Sequence, residues 1–371
     1  MRLVVFTIPL LVVILNWLWP LPLPLALKVV AAGLIVVAAL YHYWCRLSSG
    51  SVFAPEFPRP LIIAFNWAFG TLLFLTFFQL GLDLCALLIA LVRWEPVHIP
   101  TLARLGVGGC AGGLAAIGIA NALRVPPVHD VNIMIRGLPP AFEGYRLAQL
   151  TDMHLSRLFP ASWAAAVVER TNATKADMIV VTGDFIDGSV AMRQADVAPL
   201  AQLHAADGVL AIPGNHEYFF DYSDWINHLS GLGFHFLLNS HTVVTRGQDK
   251  MVFAGVTDRS APHHGQAGPD VGKALAGSPA DAPIILLDHQ PGDARTAAAH
   301  GVALQLSGHT HGGMLWGLDR LVARGNNGFV SRRYDVGKMI LYVSNGTGLW
   351  PGFALRLGIP SEITLFHFHA G

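Results

Sequence analysis

Residues 178–187 read MIVVTGDFID, from Met178 to Asp187. A short run rich in β-branched side chains, apolar without alternation, suits a strand covered on both faces. It ends at Gly183, and two carboxylates follow, Asp184 and Asp187. The same grammar recurs along the chain. RLAQLT gives way to Asp152-Met153-His154, and VLAIP to Gly214-Asn215-His216-Glu217. IILLD leads to His289, and VALQLS to Gly308-His309-Thr310-His311. Further strand-like runs lie at 131–136, 252–256, 340–344 and 362–368. Helical periodicity marks 161–174, 192–205, 222–231 and 293–300. The Gly/Pro/His-rich stretch 258–280 reads as a loop. Strands alternating with helices predict a layered α/β or α+β domain with a sheet-rich core. Loops at the carboxyl ends of strands are where such domains gather binding groups.

Taken singly, each residue has an ordinary explanation. Asp152 or Asp184 could cap a helix, Asn215 could shape a turn, and His289 could be a packed histidine. Their recurrence in order, at five strand ends, favours a shared site. Asp152, His154, Asp184, Asn215, His289, His309 and His311 offer three oxygen and four nitrogen donors, with no sulfur. That set suits divalent Mn, Fe or Zn. Seven ligands are too many for one catalytic ion with open positions. They are right for two ions sharing a carboxylate, a geometry that clamps a phosphoryl group during displacement. An extended segment 309–311 would turn both imidazoles to one side, one toward each ion. His129, His204, His228, His235, His241, His300, His367 and His369 lack this context and read as surface or packing residues. His263 and His264 lie in the 258–280 loop and are the next candidates to approach the site.

These blocks resemble the calcineurin-like metallophosphoesterase family, whose pattern runs D-x-H, GD-x-x-D, GNH-[DE], a lone His and GH-x-H. Here they stand as DMH, GDFID, GNHE, the His289 of LLDHQP, and GHTH, within a motif core of 146–313. QLTDMH, GHTHGG and the later YVSNGTG and RLGIPSEIT are most similar to its bacterial membrane-associated branch. The resemblance implies a four-layer αββα sandwich with a dimetal site at one edge. It implies that Asp152, His154 and His311 hold one ion, that Asn215, His289 and His309 hold the other, and that Asp184 bridges. It also implies a phosphoric ester hydrolase, acting on mono- or diesters through metal-activated hydroxide. His216, directly after Asn215, is then placed to contact the phosphate and protonate the leaving oxygen, since imidazole titrates near neutral pH. Asp187 and Glu217 are expected to support the ligands from behind; Asp288, beside His289, could do the same or equally point away.

Composition divides the chain in two. Residues 1–123 carry six Lys/Arg and three Asp/Glu, and residues 124–371 hold the remaining 18 and 21. The apolar runs at 3–19, 27–45, 61–92 and 104–123 are about the length of a bilayer crossing. They predict about four membrane helices ahead of a globular domain spanning 124–371. Tyr41, Tyr43 and Trp44 close the second run as interfacial aromatics do. Gly108/Gly112 and Gly109/Gly113 are spaced for close helix packing in lipid. Asp83, inside the third run, reads as the mark of a helix end. Cys45, Cys85 and Cys110 all precede residue 124, so the globular part has no thiolate metal site. A small bias of flanking Lys/Arg favours a cytoplasmic globular domain. The net charge of zero gives no reason to expect a nucleic-acid partner. The short linker at 124–128 keeps the globular domain near the bilayer. A phospholipid or lipid-linked phosphate therefore stands beside a soluble ester as candidate substrate. The rival reading is a polytopic transporter or sensor regulated by a phosphoesterase-like domain.

Overall fold

Met178–Thr182 is a strand with every residue buried. It can be so because strands pair with it in parallel on both sides, Arg146–Leu150 and Val209–Ile212. The computed structural model describes residues 8–371. Its twelve strands are β1 (Val128–Ile135), β2 (Arg146–Leu150), β3 (Met178–Thr182), β4 (Val209–Ile212), β5 (His235–Phe236), β6 (Ser240–Arg246), β7 (Asp249–Gly255), β8 (Ile284–Leu287), β9 (Leu304–Ser307), β10 (Arg332–Val336), β11 (Met339–Val343) and β12 (Ile363–Ala370). They form two six-stranded sheets, ordered β1-β12-β2-β3-β4-β5 and β10-β11-β9-β8-β7-β6. Within the first sheet β2, β3, β4 and β5 run parallel. Within the second, β7, β8, β9 and β11 do.

The sheets face each other across one apolar core. Alternate residues supply it: Met178 and Val180 from β3, Leu210 and Ile212 from β4, Phe253 from β7, Ile285 and Leu287 from β8, Leu304 and Leu306 from β9. The opposite face of the second sheet, with Ala254, Leu286, Leu341 and Val343, packs on Ala274, Ala294 and Ala297 from helices outside it. The result is an α/β sandwich built on two sheets.

The chain divides into two units. One comprises Met1–Ala122 and Pro351–Leu357, the other Leu123–Trp350 and Gly358–Gly371. The first contains α1 (Ile8–Leu18), α2 (Leu25–Ala39), α3 (Tyr41–Ser49), α4 (Arg59–Arg93) and α5 (Thr101–Leu123). Among the described residues, only α4 and α5 are long and apolar enough, singly, to cross a membrane. The expected span 27–45 is broken at Leu40 into α2 and α3, bent by 55°, and counts as a third crossing only if the pair is one span. The expected first span, 3–19, begins among residues 1–7, outside the described residues; the part described, α1, is a shorter apolar helix.

Asp83 does not mark a helix end. It lies within the 35-residue α4 and accepts from Asn16 and Gln79, both at 2.7 Å. Two neutral amides thus satisfy a carboxylate in an apolar helix. Of the glycine pairs, Gly108 lies against Trp17, and Gly112 accepts from the indole of Trp67 at 3.0 Å. Gly109 and Gly113 have nothing within 4 Å of where a Cβ would stand.

The second unit carries α6 (Ala161–Ala173), α7 (Val190–Val197), α8 (Asn215–Phe219), α9 (Tyr222–Gly231), α10 (Val271–Ala274), α11 (Ala294–Ala299) and α12 (Asp319–Gly325). The helix expected at 192–205 stops early. After Val197 the chain tightens into a 3₁₀ turn, Ala198–Gln202, where Pro199 has no N–H to donate. The expected loop 258–280 holds a 3₁₀ turn, Ala261–His264, and α10.

Candidate metal centre

Five parallel strands end at one edge of the sandwich, and each delivers part of one cluster. Asp152 and His154 follow β2, Asp184 follows β3, and Asn215 opens α8 after β4. His289 follows β8, and His309 and His311 follow β9. Five of these seven have positive φ: Asp152 +53°, His154 +47°, Asp184 +54°, His309 +69° and His311 +50°. Non-glycine residues adopt this region at a cost of about 1–3 kcal/mol each and concentrate there at functional sites. Each sharp turn aims a side chain back over the strand ends. The segment 309–311 is therefore not extended, and i, i+2 alternation is not what brings the two imidazoles to one side. Thr310 leads into a 3₁₀ turn at His311–Gly313, and left-handed backbone at both histidines brings them to the cluster. Gly308 is required for a different reason. A Cβ there would collide with Thr151 Oγ1 and Asp152 Oδ2.

The structure brings all seven candidates together. Asp184 Oδ2 lies 3.3 Å from His289 Nε2, 3.7 Å from His154 Nε2 and 3.9 Å from His216 Nε2. On one side, His154 and His311 face each other at 3.2 Å through their Nε2 atoms, and Asp152 Oδ1 is 3.6 Å from His311. On the other, Asn215 Oδ1 is 3.2 Å from His289 Nε2 and 2.9 Å from His309 Nδ1. Six of the seven are buried and His309 is half-buried.

Groups behind the cluster fix its orientation. His289 Nδ1 donates to the Thr182 carbonyl at 2.7 Å, which leaves Nε2 facing inward. Asp187 stands between two imidazoles, 3.2 Å from His154 Nδ1 and 2.5 Å from His216 Nδ1. Glu217 accepts from the backbone N–H groups of Asp184, Phe185 and Gly214 at 3.0, 2.8 and 2.7 Å, tying two loops together. Thr347 and Gly348 donate to the carbonyls of Thr151 and Asp152, bracing the Asp152 turn from the segment after β11. Sequence reasoning missed Thr151, Thr182 and this bracing segment, because two of these contacts use only backbone atoms. Asp288 is buried beside His289 but faces Gln305, 3.4 Å away. His263 and His264 are exposed, and His264 reaches Phe219 and Tyr218 rather than the ligand cluster.

Burial favours neutral forms, and the cluster resists it by pairing. Burial raises Asp184, yet His289, His216 and His154 around it bring it well below the ordinary carboxylate range. His289 moves the other way, well above the usual histidine value, because Asp184 and Asp152 outweigh its burial. His216 rises to about 9, with Asp184 and Asp187 overcoming burial. His309 falls to about 4 through burial and then the charge of His289. Burial, followed by Asp184, lifts Glu217 to about 7.

The residues fit divalent cations. Asp152, His154 and His311 form one group, and Asp184, His289 and His309 another, with ligand atoms within 4.8 Å of one another in each; His154, Asp184 and His216 make a third, overlapping group. Nitrogen and oxygen donors without sulfur are the chemistry of first-row divalent ions.

The family model for calcineurin-like phosphoesterases matches residues 145–313. A transmembrane protein with metallophosphoesterase domain from Danio rerio is 36% identical over 263 residues, covering 68% of this chain and 59% of its own. An uncharacterized metallophosphoesterase of Helicobacter pylori is 33% identical over 247 residues, covering 66% of this chain and 65% of its own. The uncharacterized metallophosphoesterase YkuE of Bacillus subtilis is 30% identical over 269 residues, covering 69% of this chain and 92% of its own. This chain thus spans less than two thirds of the length of the first two.

Proposed function

This chain belongs to the calcineurin-like phosphoesterase family, and on that premise we propose that it is a membrane-anchored, dinuclear-metal-dependent hydrolase of phosphoric esters. The observation that carries the reading is the position of Asp184. Its Oδ2 faces His289 on one side and His154 on the other, at 3.3 and 3.7 Å. A carboxylate so placed suits the bridge between two ions. Asp152, His154 and His311 would hold one ion; Asn215, His289 and His309 the other. Two divalent ions, when bound, neutralise phosphoryl charge and acidify the attacking water.

The side chains supply the rest. Asp187 holds His216 at Nδ1, which leaves Nε2 facing Asp184 Oδ2 at 3.9 Å, beside where a phosphoryl group held by two ions would lie. Without ions bound, burial lowers this imidazole but the fields of Asp184 and Asp187 raise it to about 9; with Asp184 engaged by two cations, Asp187 at Nδ1 is the carboxylate left to favour its protonated form. His216 is then a general acid with its proton on Nε2, ready for the leaving oxygen. Glu217 keeps the loops of Asp184 and Asn215 in register by binding backbone from both. The anchoring rests on the apolar helices α4 and α5 and on relatives whose names include "transmembrane". A chain tied to a bilayer meets lipid phosphates at high local concentration, which favours a phospholipid or lipid-linked phosphate as substrate.

The test is metal analysis of the purified chain with a panel of phosphate mono- and diesters, lipid-linked ones included. His216→Gln should lower kcat by roughly 10²–10⁴-fold with metal content unchanged. Full activity in that variant, or no hydrolysis of any ester by the metal-loaded wild type, would sink the proposal.

A further inference from the structure

The five-residue α8 carries His216 and, three positions on, Phe219. Residues i and i+3 share a helix face. The two rings accordingly stand side by side, centroids 5.2 Å apart and planes at 46°. Phe220 places a second ring 6.3 Å from the same imidazole. His264, from the loop after β7, lies 6.0 Å from Phe219 and 6.2 Å from Tyr218. Tyr218 in turn stacks on Tyr222 at 4.3 Å. Tyr218 is buried, while Phe219 is 41% exposed. An aromatic wall thus begins at the imidazole of His216 and continues to the surface.

We propose that Phe219, flanked by Phe220 and His264, forms a leaving-group subsite for an apolar substituent on the ester oxygen. This inference rests on the hydrolase reading and adds the substrate's chemistry on one side of the phosphorus. In the reaction the bond from phosphorus to the leaving oxygen breaks, and that oxygen takes the proton from His216 Nε2. A new bond joins phosphorus to the oxygen of the attacking water, whose proton is lost to solvent, and His216 then takes a proton back from solvent. The atoms attached to the leaving oxygen must therefore lie on the His216 side of the site. The ring they meet there is Phe219.

Rings stack with centroids about 4.5–7 Å apart. The 6.0 Å between Phe219 and His264 is too small for a third ring to insert between them. The substituent meets the exposed part of Phe219, 41% of the residue, a surface that accepts a flat aryl group or a hydrocarbon chain equally well.

The test uses the full chain, loaded with Mn²⁺ in detergent, and three leaving groups: naphthol, octanol and glycerol. Each is offered as its phosphate monoester and as its methyl phosphodiester. Comparing Phe219→Ala with wild type on each substrate cancels intrinsic reactivity. The subsite predicts a loss in kcat/KM of about tenfold on naphthyl or octyl esters, against less than about twofold on glycerol esters. Phe219→Leu should recover most of the octyl activity. Loss confined to naphthyl esters assigns the subsite to aryl groups; loss confined to octyl esters assigns it to lipid chains. An equal loss on glycerol esters, or no loss on any substrate, overturns the subsite. A wild-type protein that hydrolyses none of the esters fails the hydrolase reading, and the subsite falls with it.

Discussion

His309 and His311 show how far residue identity reaches and where it stops. Two imidazoles one residue apart, bracketed by glycine, were legible as a pair of candidate ligands from chemistry alone. Their backbone was not, because φ values of +69° and +50° leave no trace in composition. What turns them inward is the company of Asp152, whose carboxylate accepts the His309 N–H at 3.0 Å through both oxygens. The two rings end beside different partners, His309 at Asn215 and His311 at His154. We predict that His309→Ala and His311→Ala each lower the metal content of the purified protein from about two ions to about one. They should weaken different ions, so that titrating metal back into the two variants gives different binding curves. Identical curves, or loss of both ions from each, would count against one histidine per ion.

At the scale of elements, the far end of the sandwich is as informative as the site. Tyr145, just before β2, donates to Asp207 at 2.8 Å, and Arg246 at the end of β6 reaches both Asp177 and Asp207. The guanidinium lies 4.8 Å from the centroid of the Tyr145 ring. Here β6, from the second sheet, is fastened to residues preceding β2, β3 and β4 of the first. Burial, and then the hydrogen bond to Asp207 and its charge, raises the Tyr145 phenol well above its ordinary value. The sign follows: the folded state holds this proton more tightly than the unfolded chain. Its stabilising contribution is complete below pH 10, the ordinary tyrosine value, and is lost as pH climbs beyond it. Tyr145→Phe should cost about 1 kcal/mol at neutral pH. It should also flatten the fall of the melting temperature between pH 9.5 and 11; an unchanged slope would refute the assignment. The strands flanking this cluster were readable because buried parallel strands are apolar throughout, as in MIVVT. The edge strands β5, β6 and β10 were not. Two-residue β5 is too short to register, and RRYDV alternates without an apolar face worth burying.

At the scale of the whole molecule, the helical unit is built from two separate pieces of the chain. The chain passes between the units after Ala122, returns after Trp350, and leaves again after Leu357. In sequence, PGFALRL at 351–357 reads as a stretch of globular tail, because its partners Asn66 and Tyr41 lie 285 and 310 residues earlier. In the structure it is enclosed by the helices. Asn66 of α4 donates to the Pro351 carbonyl at 2.9 Å and accepts from the Ala354 N–H at 2.8 Å. Tyr41 donates to the same carbonyl at 2.8 Å. The Arg356 N–H reaches the Gly118 carbonyl at 2.9 Å, and Leu355 fills the space left by Gly70 and Gly118. Asn66 is the hub, since a Leu of similar size would leave the Ala354 N–H buried without its acceptor, a penalty of about 1–3 kcal/mol. That penalty falls on local opening of 351–357, not on the sandwich core. Arg356 is 1% exposed in the closed form, so trypsin can cut after it only when the segment opens. Asn66→Leu should therefore speed tryptic cleavage at Arg356 by about tenfold or more, at the same rate of cleavage elsewhere. A variant cut no faster than wild type at Arg356 would mean that the segment is held by its apolar contacts alone.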